Sequence, residues 1–409
     1  MFSTKSNLSE FSRIGIWGTG AFGAMAIKGL EDKFSRKPDY CVDFNHTNWG
    51  KEFLGIPIIS PDELENKECS IIYLCALNFD YILDKYSKIF DHHSFADPTL
   101  LISDIKFHDV DNVFTTNRLS TLSAQLAYAI NGFKQNKLNK ESLFVNSLDL
   151  VLTERCTLKC ENCSNLMQYY KSPINSPEEI IIESFYKFID SVDSLNELRL
   201  IGGEPLINRN IYKIIKLANK TKKIKNLVVY TNGTIVPKRE DLETISNVNG
   251  LVFKISDYGE DLSRKIEPLT KLLDEFNIFT IREPINVWTD SGKIQNHNRS
   301  SKELYDVFGQ CCVKDCLTLL HGKLFICPFS ANLYNLDQEK YSFVDYIDTL
   351  NLDSTKIKEK IKQYLYKFKF QRACNNCNGR DHNVNKIPAA VQTRKVLEIP
   401  NAIESISNN

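Results

Sequence analysis

The sequence predicts an α/β chain in three parts. These are a doubly wound parallel sheet, a partial (β/α)6 barrel and a small cysteine-rich α+β region. Three observations predict this. SRIGIWGTGAFGAMAIKGLED holds an apolar strand, glycines spaced G-x-G-x-x-G and an amphipathic helix. From residue 146 onward, short apolar strands alternate with helical patterns, and each strand ends in polar residues. Nine of the 12 cysteines fall into tight groups beyond residue 150, whereas Cys41, Cys69 and Cys75 are scattered among apolar neighbours.

In the first part, Gly18, Gly20 and Gly23 permit a tight turn and close approach of a phosphate to a helix N-terminus. The next strand, DYCVDFN, brings Asp43 to the position where a carboxylate meets a ribose hydroxyl. GIPII, SPDEL with Ser60 as N-cap, the buried strand SIIYLCAL and the helix ILDKYSKIF complete the pattern. A Rossmann-like domain over residues 1–117 follows, with a nucleotide or NAD(P) as its ligand, or with a degenerate scaffold used for docking. The pattern VDFN, WG and GIPIISPDEL resembles N-terminal domains appended to bacterial enzymes of surface-sugar assembly. Residues 118–145 read as a connecting helix and linker, with a boundary near 140.

Next, SLDLVLTE delivers TERCTLKCENCSNL, with Cys156, Cys160 and Cys163 on the loop at its end. A tetrahedral zinc or a closed four-iron cluster wants four ligands, so three thiolates leave one corner open or borrow a distant ligand. The second strand, NELRLIGGEP, ends in Gly202, Gly203 and Glu204. NLVVYTNGT ends in Thr231 and Asn232, GLVFKISDYG in Ser256 and Asp257, and NIFTIREP in Arg282 and Glu283. Sites in β/α barrels are built at this C-terminal rim. NVWTDSG places Trp288 and Asp290 near the same mouth, where aromatic faces and carboxylates are common sugar contacts, and Arg282 is a similar substrate candidate at its strand end.

C-x3-C-x2-C after the first strand, with GGEP after the second, resembles the radical S-adenosylmethionine superfamily across residues 146–305. That resemblance implies a 4Fe–4S cluster on the three cysteines, with S-adenosylmethionine chelating the open iron. It implies that Gly202, Gly203 and Glu204 bind the methionyl amino group. Ser256 and Asp257, or Thr231 and Asn232, would bind the ribose. It also implies reductive cleavage to a 5′-deoxyadenosyl radical that abstracts hydrogen from an unactivated C–H bond. The sequence departs from the family at Asn162, where an aromatic residue usually precedes the third cysteine.

The last third contains CCVKDCLTLLHGKLFICPFS and QRACNNCNGRD. Cys316 and Cys327 flank a hairpin pattern, and Cys374 with Cys377 forms C-x2-C, so these four suffice for a second 4Fe–4S cluster. A zinc knuckle is the alternative. Residues 306–385 resemble the auxiliary-cluster region called a twitch domain, a shortened SPASM domain. Such a cluster, closed by four thiolates, would accept the second electron of a two-electron oxidation. Cys311 and Cys312 are left over: one packs in the core, replaces Cys316 as a ligand, or donates hydrogen to a substrate radical. Arg380, Asp381 and His382 would shield or tune the cluster. Residues 386–409 carry no chemical signal.

Composition limits the partners. The 51 basic and 51 acidic residues cancel, so no net field favours nucleic acid or an anionic membrane. No run of about 18 apolar residues occurs, and the N-terminus lacks a signal-peptide core. A cytoplasmic protein follows, and the resemblance implies that it is an oxidoreductase. It would act on a sugar or sugar nucleotide in polysaccharide or secondary-metabolite assembly and draw on a one-electron reductant such as flavodoxin or ferredoxin. Other readings are a redox-neutral epimerase, a peptide-modifying enzyme, a nucleotide-sensing binding protein and a simple NAD-dependent dehydrogenase.

Overall fold

The computed structural model describes residues 12–105, 119–138, 141–367, 369–381 and 384–400. It divides into two compact units after Lys134. His382, part of the linker and the last nine residues lie outside the described residues.

The first unit is built on β1 (Arg13–Trp17), β2 (Tyr40–Val42), β3 (Glu52–Phe53), β4 (Ile56–Ile59), β5 (Ser70–Leu74) and β6 (His93–Ala96). Their order is β3-β4-β2-β1-β5-β6, parallel except for the short edge pair β3–β4. Strands run outward from β1 in both directions, the reversal that defines a doubly wound sheet. β5, SIIYL, is buried at every position, as a parallel strand covered on both faces should be. Helix Ala21–Phe34 begins directly after Gly20 and buries Phe22, Met25, Ile27 and Leu30.

In the second unit, β7 (Phe144–Thr153), β8 (Ser194–Gly202), β9 (Ile224–Thr231), β10 (Leu251–Asp257) and β11 (Phe279–Pro284) form consecutive parallel pairs. The crossovers include helices Glu178–Ser191, Ile211–Lys220 and Ile266–Glu275. Helix Glu178–Ser191 shows why. Ile181, Phe185, Phe188 and Ile189 share one face, while Glu178 and Glu179 oppose the helix dipole in the first turn. The core beneath includes Leu148, Leu150 and Leu152 of β7, with Leu198, Leu200, Phe253 and Ile255.

β12 (Val287–Thr289) lies apart from this sheet. β13 (Cys316–Leu320) pairs parallel with β7, and β14 (Lys323–Phe325) and β15 (Ile347–Asp348) continue antiparallel beyond it. The cysteine-flanked hairpin assigned above to a separate small domain therefore extends the barrel sheet. His321 and Gly322 at its turn have φ of 47° and 79°, the paired left-handed conformations of a tight hairpin. β16 (Lys386–Pro388) pairs with β12, so residues just past the C-x2-C return to the barrel. Among the described residues, no helix is long and apolar enough to cross a membrane.

Candidate active site

β7 ends at Thr153, and the loop beyond it carries the three cysteines. Glu154 anchors its start. The Glu154 carboxylate accepts from Ile174 N at 2.9 Å and Asn335 Nδ2 at 2.7 Å and meets His321 Nε2 at 2.8 Å. Burial pushes this carboxyl up, but the three bonds outweigh it and hold it below the usual range. The cysteines themselves are turned toward N–H donors. Cys156 Sγ accepts from Leu158 N at 3.4 Å and Asn232 Nδ2 at 3.7 Å. Cys160 Sγ accepts from Gln392 Nε2 at 3.2 Å, and Cys163 faces the backbone of Met167 and Asn165. Burial pushes all three thiols up, Cys160 to about 11.

The glycines of GGEP press against this loop. A Cβ on Gly203 would lie 2.4 Å from Arg155 O and 2.7 Å from Cys156 Cβ, and one on Gly202 would lie 2.3 Å from Thr153 O. Backbone bonds from Gly203 N to Thr153 O (3.0 Å) and Glu204 N to Arg155 O (2.9 Å) fix the contact. Glu204 is fully buried. Its carboxylate accepts from Asn232 N (2.8 Å), Leu206 N (3.2 Å) and Thr231 Oγ1 (3.0 Å). Burial nonetheless pushes it up to about 7. The sequence treated Thr231 and Asn232 as alternatives to other residues, yet both are bound to Glu204.

At the end of β10, Asp257 accepts from Gly259 N (2.8 Å) and Arg282 Nε (2.8 Å). Arg282 also bonds exposed Glu267 at 2.7 Å, so two carboxylates hold the guanidinium that the sequence assigned to substrate. The neighbouring Tyr258 was overlooked. Burial raises its hydroxyl first, and it lies close enough to Cys163, Cys160 and Cys156 to feel their charge; it also bonds Ser256. Trp288 meets the Tyr258 ring edge-on, with centroids 5.6 Å apart. Asp290 N donates to Asn385 O at 2.8 Å, and a Cβ on Gly292 would lie 2.2 Å from Asn162 O. The loop carrying Trp288 and Asp290 thus rests on the cysteine loop.

A second recess is lined by Cys311, Cys327, Cys374 and Cys377, with Phe308 and Phe329. Each sulfur faces backbone N–H groups: Val313 for Cys311, Ser330 (3.5 Å) for Cys327, Gln371 for Cys374 and Gly379 (3.3 Å) for Cys377. Arg299 donates to the carbonyls of Cys374 and Cys377 (2.6 Å to the latter), which clamps the C-x2-C loop. Arg380 also lines the recess.

Cys316, read from the sequence as a ligand of the second cluster, does not line this recess. As the first residue of β13, opposite Ser147, it projects toward Asp149 and accepts from Arg199 Nη1 at 3.5 Å. Cys311, five residues earlier, occupies the recess, and Cys312 is exposed. Among the described residues, no group of three His, Cys, Asp or Glu side chains is arranged to hold a single metal ion.

The sheet face opposite the helices is polar. Arg199 meets Asp149 (3.6 Å), Glu197 and the Tyr230 ring (6.0 Å). Lys254 meets Tyr230 (5.1 Å) and Glu283 (3.4 Å). These residues come from β7 through β11, so charges of both signs line one surface.

Residues 150–271 match the Radical SAM superfamily. They form a radical SAM domain. Curated relatives include a GTP 3′,8-cyclase of Clostridium acetobutylicum, 31% identical over 103 residues, covering 25% of this chain and 31% of that protein. The mitochondrial GTP 3′,8-cyclase of Arabidopsis thaliana is 28% identical over 166 residues, covering 38% and 42%. The chain thus spans less than half the length of these relatives. Among solved structures, BtrN in complex with AdoMet and 2-DOIA is 16% identical with a TM-score of 0.37, covering 63% of this chain and 98% of that one. Native anSMEcpe with bound AdoMet and Cp18Cys peptide is 14% identical with a TM-score of 0.34, covering 62% and 92%.

A radical SAM domain works with a 4Fe–4S cluster and S-adenosylmethionine. The donor chemistry around Cys156, Cys160 and Cys163 suits such a group, because N–H donors at each sulfur stabilise thiolates.

The glycines of the first unit serve differently. A Cβ on Gly23 would lie 2.0 Å from Gly18 O, and one on Gly18 would lie 2.7 Å from Cys75 O, so both are demanded by packing. Of the three glycines of the G-x-G-x-x-G stretch, Gly20 alone faces open space. Asp43, expected to bind a ribose, is engaged internally by the Thr19 hydroxyl, Asn45 N (2.8 Å) and Asn48 Nδ2 (3.4 Å).

Proposed function

We propose that the chain is a radical SAM oxidoreductase that dehydrogenates a polar, sugar-type substrate held against the charged inner face of its barrel. The observation carrying this reading is the recess of Cys311, Cys327, Cys374 and Cys377. Four thiolates would close every corner of a second 4Fe–4S cluster, which suits it to electron transfer rather than substrate binding. Cys156, Cys160 and Cys163 would hold three irons of the first cluster. Glu204 and the carbonyls of Gly202 and Gly203 would accept from the methionyl ammonium. When bound, the first cluster and its cosubstrate supply a radical able to take hydrogen from an unactivated C–H bond. The mixed charges of Arg199, Lys254, Glu197 and Glu283 suit a hydroxyl-rich molecule, which needs both donors and acceptors.

A redox-neutral epimerase is the second reading, and Cys316 favours it. With Cys311 in the recess, Cys316 is the thiol on the inner face, placed to give a hydrogen atom to a substrate radical. The matched cyclases are named for GTP, which makes GTP a second candidate substrate.

The test is anaerobic turnover of the reduced, reconstituted protein in deuterated water, with nucleotide sugars, aminosugars and GTP as substrates. Dehydrogenation predicts 5′-deoxyadenosine and a sugar product lighter by two hydrogens. An isomer carrying solvent deuterium on carbon would install the epimerase. Consumption of GTP alone would overturn the sugar assignment.

A further inference from the structure

Gln392 lies in the polar C-terminal segment, yet its side chain touches a cysteine sulfur of the radical SAM loop. The segment Ala390–Thr393 runs antiparallel to the loop, bridging Cys160 and Gln392. Glu161 N donates to Val391 O at 2.7 Å, and Thr393 N donates to Lys159 O at 2.8 Å. Ala390 turns the chain into this strap at φ 54°, a left-handed conformation that alanine keeps only where its surroundings impose it.

Every polar atom of the Gln392 amide is used. Its Oε1 accepts from Lys159 N at 2.9 Å, and its Nε2 donates to Cys160 Sγ at 3.2 Å and Ala390 O at 2.7 Å. The orientation is therefore determined. Lys159 N–H can only donate, so the oxygen must face it and the NH2 must face the sulfur. Cys163 takes its donors from the backbone of its own loop, and Cys156 from Leu158 N and Asn232. The donor at Cys160 comes from farther along the chain than any of these, 232 positions away.

We propose that Gln392 is a positioning residue that raises the reduction potential of the cluster held by Cys156, Cys160 and Cys163. Reduction adds negative charge that spreads onto the cysteine sulfurs. An N–H aimed at one of them stabilises the reduced state more than the oxidised state. The strap thus eases electron entry from an external one-electron donor. This rests on the radical SAM reading of the three cysteines, and the experiment separates the two claims.

The experiment is an EPR-monitored redox titration of the full-length reconstituted protein, without cosubstrate, for wild type, Gln392→Glu and Gln392→Leu. Glutamate keeps the acceptor for Lys159 N–H and replaces the donor at sulfur with a carboxylate oxygen; leucine removes both. The midpoint of the Cys156/Cys160/Cys163 cluster is expected to become more negative in both variants, and most in Gln392→Glu. The signal of the second cluster should not move. With a flavodoxin as reductant, cleavage of S-adenosylmethionine should slow roughly tenfold, and a stronger chemical reductant should restore it.

Unchanged midpoints at full iron content would overturn the proposal. Failure of both variants to assemble the cluster would also overturn it, reducing the strap to scaffolding. If wild type itself gives no signal that the Cys156, Cys160 and Cys163→Ala triple variant removes, the radical SAM reading of these cysteines fails instead.

Discussion

The two cysteine recesses of the second unit use the same ligand atom for opposite ends. Around Cys156, Cys160 and Cys163 there are three thiols, and the groups beside them, Glu204 and the GGEP backbone, are acceptors. Two of the three sulfurs receive side-chain amides, from Asn232 and Gln392, on distant stretches of chain. Around Cys311, Cys327, Cys374 and Cys377 there are four thiols, backbone donors and an apolar wall of Phe308 and Phe329. Under the proposed function, three ligands and a cradle for a cation would make a reactive corner, and four ligands and an apolar wall would make a closed relay. The difference is written in ligand count and in what stands beside the sulfur.

The strongest way to break that contrast is at Gly203. A methyl there would overlap Arg155 O and Cys156 Cβ, both parts of the open site's own frame. Gly203→Ala should cost about 3 kcal/mol of stability, as overpacking against fixed atoms does. Denaturant unfolding and iron counting check this: iron should be lost from the first recess and kept in the second.

A smaller effect sharpens the cradle. Glu204→Gln removes the anionic acceptor for the methionyl ammonium and should weaken S-adenosylmethionine binding by about 2 kcal/mol, roughly 30-fold. The pH dependence has a definite sign. Burial raises the Glu204 carboxyl to about 7, so below that pH the group is protonated and neutral. Binding should weaken as pH falls through 7 and level off above it, while Glu204→Gln should show neither change. Equilibrium dialysis between pH 6 and 8 measures both.

Much of this was legible in the sequence because it is local. The three-cysteine loop, GGEP, the strand-end polar residues and the hairpin turn at His321 and Gly322 are short stretches whose chemistry follows from spacing. What was illegible depends on register and on return of the chain. Cys316 and Cys311 are five residues apart, and only the pairing of Cys316 with Ser147 shows that its side chain turns to the inner face. IPAAVQT carried no signal because Gln392 acquires its role by pairing with residues more than 200 positions earlier. The Asp43 carboxylate matches a ribose-binding pattern, and its bonds to Thr19, Asn45 and Asn48 within the same unit could not be read from spacing.

The contrast between an open three-thiol site and a closed four-thiol site is tested most directly by iron and sulfide analysis after anaerobic reconstitution. Wild type should hold about eight irons, and the Cys156, Cys160 and Cys163→Ala triple variant about four. Cys311→Ala should lose the second cluster, leaving about four irons, whereas Cys316→Ala should keep all of them. Loss of the second cluster in Cys316→Ala, with Cys311→Ala intact, would contradict the account.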